Sequence, residues 1–94
     1  MKTLNVNPGQ PGALVDQEKY EAMRAAMMQV LPAGDDGMTW AELTEVIGPI
    51  LPERLFRHIG TVRWYARAVQ LDLEARGVIT RIPGSKPPRL RRAA

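Results

Sequence analysis

The sequence predicts a mainly α fold with a small C-terminal β-hairpin, an α+β arrangement with three main helices. Three observations carry that expectation. Apolar residues recur at helical spacing through residues 16–31, and a helix-capping pair stands at Thr39 and Glu42. The segment "GTVRWYARAVQLDLEARGVI", residues 60–79, reads as a helix that stops on a glycine, after which β-branched residues take over.

Residues 1–15 carry Asn, Pro and Gly with no period, so they read as a flexible N-terminal arm or an extended strap ahead of a single domain over 16–92. Leu4, Val6 and Leu14 offer apolar side chains that can dock on the wide apolar arc of the long helix. Asp16 is a good N-cap for a first helix over about 16–31, with Glu18 and Glu21 near its positive end and Tyr20, Met23, Met27, Val30 and Leu31 on one face. Pro32 ends it, and "PAGDDG" reads as a turn. Thr39 and Glu42 then open a second helix lined by Trp40, Leu43, Ile47 and Ile50, which Gly48 and Pro49 end or kink. Pro52 is placed to start a short third piece anchored by Leu55 and Phe56. Thr61 is the expected cap of the long helix, which runs to Arg76 with Gly77 as its left-handed stop. "VITRI", "PGSKPP" and "RLRR" follow as strand, turn and returning strand.

Ninety-four residues allow one small domain and one core. With five aromatic residues, that core is aliphatic and methionine-rich. The absence of cysteine excludes a disulfide framework, zinc ribbons and thiol catalysis, and fits a cytoplasmic protein. No apolar run approaches membrane-spanning length, so no membrane partner is expected.

The net charge of +3 hides a strong polarity. Residues 1–53 hold three cations against eight carboxylates, a net −5, and residues 54–94 hold ten cations against two carboxylates, a net +8. Clustered cations attract polyanions and release their counterions on binding. The competing reading is that the basic half pairs internally with the acidic half.

At about 100° per residue, Val62, Tyr65, Ala66, Val69 and Leu73 share one side of the long helix, and Trp64, Ala68, Leu71 and Ala75 widen the apolar arc. Arg63, Arg67, Gln70 and Glu74 form the polar ribbon. Arginine pairs with guanine edges or phosphates and glutamine with adenine, so Arg63, Arg67 and Gln70 are candidate DNA contacts; a merely solvated face is the alternative. Asp72 falls inside the apolar arc, where an unpaired carboxylate is costly, so an ion pair with Arg54, Arg57 or Arg81 is expected. His58 is the single histidine, and with no carboxylate cluster beside it no catalytic site, metal site or cofactor is expected. "PGSKPP" lacks the spacing of a phosphate-binding loop.

The stretch Leu73-Glu74-Ala75-Arg76-Gly77-Val78-Ile79-Thr80-Arg81 resembles the recognition-helix end and first wing strand of winged helix-turn-helix proteins. The "VRWY…LDLEARG" segment is also similar to one carried by a small, functionally uncharacterised family of bacterial winged-helix-like proteins. The resemblance covers roughly residues 38–92. It implies a first strand at "GMT", a support helix over Trp40–Ile47, a recognition helix over Thr61–Arg76 and a wing over Val78–Arg92. The departure is the connection Gly48–Gly60, much longer than the few residues usual between these helices. The implied function is non-enzymatic: a transcriptional regulator that binds double-stranded DNA through Arg63, Arg67 and Gln70, with Lys86, Arg89, Arg91 and Arg92 of the wing on flanking phosphates, and that forms a homodimer through helix one and the arm. The alternative is a protein-interaction or dimerisation module using Trp64, Leu71 and the helix-one methionines.

Overall fold

Asp16 starts the first helix as its residue type requires. Its carboxylate accepts from the Lys19 amide, and α1 (Gln17–Val30) follows in the computed structural model, which describes residues 1–34 and 36–93. Tyr20, Met23, Ala26 and Met27 form the buried face of α1. Leu31 is extended, and Pro32, without an amide hydrogen, cannot prolong the helix. The turn expected over 32–37 contains Asp35, which lies outside the described residues.

Met38–Thr39 form β1, and Thr39 caps α2 (Trp40–Ile47) through the reciprocal box: its hydroxyl accepts from the Glu42 amide while the Glu42 carboxylate accepts from the Thr39 amide. Gly48–Ile50 continue as one tighter 3-10 turn. The change of pitch carries Ile50 off the buried row, and it is 43% exposed where a buried anchor was expected. The helical piece expected after Pro52 is a single turn, in which the Leu55 and Phe56 amides both donate to the Pro52 carbonyl. Phe56 is nonetheless buried, against the edge of the Tyr65 ring.

The long helix α3 (Ile59–Ala75) begins two residues earlier than the expected Thr61 cap, from an extended His58 whose side chain makes no capping bond. Its C-terminus follows the expectation closely. Gly77 is left-handed at φ 75°, the Val78 amide reaches back to the Leu73 carbonyl at 2.9 Å, and the Gly77 amide reaches Glu74 at 3.1 Å.

That reversal sends the chain into β2 (Ile79–Arg81) and back through β3 (Arg89–Arg92), with a cis Lys86–Pro87 bond in the connection. The sheet is antiparallel in the order β1-β3-β2, pairing Met38 with Leu90 and Ile79 with Arg92. Gly37 admits this close first strand: at φ 61° a Cβ would stand 2.7 Å from the Leu90 carbonyl oxygen. Ile79 and Leu90 turn inward to a continuous core with Met23, Met27, Leu43, Ile47, Val69 and Leu73.

Residues 1–15 depart from the reading as a loose arm. They fold back on themselves, with Lys2 and Leu14 bridged antiparallel and the Thr3 amide donating to Ala13. This strap lies on α3: the Leu4 amide donates to the Asp72 carboxylate, the Asp16 amide donates to the Tyr65 hydroxyl, and Val15 is buried. Backbone donors aimed at side chains do the docking, which hydrophobic periodicity does not register. Gly12 permits the fold-back, since a Cβ there would lie 1.7 Å from the Thr3 oxygen. Among the described residues no helix is long and apolar enough to cross a membrane.

Candidate nucleic-acid interface

The polar ribbon of α3 is divided by what covers it. Gln70 is 3% exposed, accepts from Arg67 at 3.3 Å and donates to Glu74 at 3.3 Å. Glu74 in turn accepts from Arg81 on β2, so a chain of charge and amide runs from α3 into the sheet. Beside this carboxylate the Arg81 guanidinium is held above its ordinary range. Gln70, expected among the base-reading residues, is thus buried, and its amide links Arg67 to Glu74 on the same helix. Arg63 and Arg67 remain exposed on the N-terminal half of the helix. The Arg67 guanidinium stacks over the Trp40 ring, 4.7 Å from its centroid.

The wing cations are also divided. Arg89 donates to the carbonyls of Asp36 and Gly37 and pairs with Glu42 at 3.3 Å, tying β3 to the turn before β1. Arg92 donates to the Leu31 carbonyl at 2.8 Å, at the end of α1. Arg91 is half-buried within the sheet. These three were expected to neutralise phosphates; two are spent on carbonyls that the ends of α1 and of the following turn leave unsatisfied. Lys86 alone of the wing set is exposed without an ion pair or hydrogen bond among the described residues, in the β2–β3 connection.

Asp72 lies at the other end of the helix and is fully buried. It accepts from the Tyr20 hydroxyl, the Leu4 amide at 2.8 Å and the Arg76 guanidinium at 2.9 Å. The expected pairing is present, with a corrected partner: Arg76, one turn ahead on the same helix, rather than Arg54, Arg57 or Arg81. Arg54 pairs with Glu18 instead. Burial pushes the Asp72 carboxyl up, but the donors from Tyr20, Arg76 and Leu4 outweigh it and the net shift is downward. Burial first, and then the bond to Asp72, push the Tyr20 hydroxyl up to about 12.

Of the residues that sequence reasoning named as contacts, Arg63, Arg67 and Lys86 are exposed; it did not place Trp40 beneath Arg67, Tyr20 on Asp72 or Arg81 on Glu74. Nothing in the spacing of Trp40 distinguishes a core residue of α2 from a ring offered to α3. Among the described residues no group of His, Asp and Glu could hold a metal ion.

The chain belongs to a family of unknown function, DUF6958, whose model matches residues 1–90. No curated protein and no solved structure matches it.

Proposed function

We propose that this chain is a winged helix-turn-helix protein that binds duplex DNA without enzymatic activity and acts as a transcriptional regulator. The N-terminal half of α3 would enter the major groove, and the β2–β3 connection would lie along flanking phosphates. The observation that carries this reading is the pair Arg63 and Arg67, one turn apart and exposed on the N-terminal half of α3, with Lys86 adding a further exposed cation in the hairpin. The order helix, strand, helix, helix, hairpin, with the first strand on the last, supports the winged-helix assignment. Because Gln70 is internal, base reading would fall to Arg63 and Arg67, and because Arg89 and Arg92 are tied to carbonyls, Lys86 would supply the hairpin's phosphate contact.

The test is binding to random-sequence duplex titrated with salt. Affinity should fall with a log–log slope of about 0.9 per phosphate neutralised, and Arg63→Glu with Arg67→Glu should weaken binding at least about tenfold. Absence of salt-sensitive binding at low ionic strength rejects the proposal. A second reading, a protein-interaction module, is favoured by Trp64 and Ile59, 50% and 68% exposed on the same half-helix. It expects Trp64→Ala to abolish a protein contact while charge reversal at Arg63 and Arg67 changes little.

A further inference from the structure

Between the start of α2, the middle of α3 and the β2–β3 hairpin lies a cavity of ≈ 340 Å³, within the size range of small-molecule sites. Pro87, Pro88 and Leu90 give it an apolar wall, and Trp40 an aromatic one. Two guanidiniums, Arg67 and Arg81, reach it, and among the described residues no carboxylate lines it. Their charges are not equivalent. Arg81 is neutralised by Glu74, whereas among the described residues Arg67 has only the Gln70 carbonyl as acceptor and the Trp40 ring as a face to rest on. The indole Nε1 of Trp40 is buried with no acceptor among the described residues, a donor left unsatisfied in a residue that forms the wall. A mostly apolar cavity with one uncompensated planar cation selects a ligand with an apolar body and a single negative charge.

We propose that this cavity binds a small aromatic carboxylate, its carboxylate on the Arg67 guanidinium and its ring between Trp40 and the Pro87–Pro88 wall. Guanidinium matches carboxylate through two parallel N–H donors, and the stack on Trp40 holds that fork in place. Gln70, fixed from behind by Glu74, holds the exposed Arg67 guanidinium beside the cavity. On the DNA reading the same guanidinium faces phosphate, so carboxylate and duplex compete for it. That corollary rests on the DNA reading; binding of the carboxylate does not.

The test titrates 2-naphthoate into the isotopically labelled full chain without DNA and follows the two indole N–H signals, assigned with Trp64→Phe. A saturable shift of the Trp40 signal, with Trp64 unmoved, is expected. The uncharged 2-naphthamide should bind about tenfold more weakly or worse, and Arg67→Gln should lose the naphthoate by a similar factor, while Arg63→Gln binds it as the parent does. Absence of saturation, equal movement of both indoles, or equal affinity for naphthoate and naphthamide overturns the proposal. The naphthamide comparison is made on the parent chain, so it decides the question even if Arg67→Gln disturbs the fold. Failure of DNA binding in a separate salt titration leaves this result standing, and the reverse also holds.

Discussion

In the C-terminal half of α3, Gln70, Asp72 and Glu74 each have partners drawn from a different element: Arg67 on the same helix, Tyr20 and Leu4 from α1 and the strap, and Arg81 from β2. In the N-terminal half, Arg63 has no such partner, and Trp64 stands half in solvent against the Tyr65 ring. Both halves carry polar side chains on an apolar helix. What separates them is whether the charged and amide groups are satisfied within the fold. Gln70 is satisfied by its own helix and Asp72 and Glu74 by neighbouring elements, whereas Arg63 reaches solvent, and that makes one half chiefly scaffold and the face around Arg63 surface. Mutation of the first half should therefore be read in stability, and of the second in binding.

The largest expected effect is at Asp72. Asp72→Ala removes the acceptor for the Tyr20 hydroxyl, the Leu4 amide and Arg76 together. Arg76 is partly exposed and can turn to water, but the Tyr20 hydroxyl cannot, so we expect a loss of about 2–4 kcal/mol in urea unfolding. Because Leu4 is held by the same carboxylate, protection of the strap amides from hydrogen exchange should fall with it. An unchanged unfolding midpoint would mean that the carboxylate contributes nothing to the scaffold half.

The same cluster gives the pH dependence a sign at both ends. The Asp72 carboxyl is held down in the folded chain, so its contribution is complete above about pH 4, its unfolded value, and is lost as pH falls through the lower folded one. Tyr20 is pushed up to about 12, so its contribution is complete below about pH 10 and is lost as pH rises through the folded value. The alkaline loss should be on the order of 2 kcal/mol, and Tyr20→Phe should remove it from a plot of unfolding free energy against pH. Equal alkaline slopes for parent and variant would show that the hydroxyl titrates as freely folded as unfolded.

This division explains what the sequence disclosed. The capping box, the Asp16 cap and the Gly77 stop depend on residues within a few positions of one another, and all three were legible. The apolar stripe of α3 was legible because its period is local. Asp72 was legible as paired, since a carboxylate in an apolar arc demands a partner, yet its partner was not, because Arg76 four residues on competes in the sequence with arginines from other segments. Burial of Gln70 was invisible, because a ribbon of Arg, Arg, Gln and Glu has the same period whether water or protein covers it. Arg89 and Arg92 likewise read as free cations until the carbonyls of Asp36, Gly37 and Leu31 are seen beside them. Whether residues 1–15 form a loose arm or an extended strap was not legible, because backbone amides take part in docking it.

Gln70 offers a smaller and sharper probe of the boundary between the halves. Gln70→Ala leaves Glu74 with Arg81 but frees Arg67, so stability should fall by about 1 kcal/mol. On the proposed reading, duplex affinity should stay the same or rise, because the residue itself touches no base. A loss of sequence preference in this variant would return Gln70 to the interface and move the boundary toward the C-terminus.

The smallest expected effect on stability belongs to Arg63, and its smallness is informative. Arg63→Ala removes an exposed side chain with no ion pair or hydrogen bond among the described residues, and alanine is the better helix former, so the unfolding free energy should change by no more than about 0.5 kcal/mol. A residue without cost to the fold can be discarded unless it meets something outside it. Loss of duplex affinity with a reduced salt slope, at unchanged stability, would place Arg63 on the surface half as a phosphate contact. A destabilisation of several kcal/mol would instead reveal hidden support for the fold and erase the contrast between the two halves.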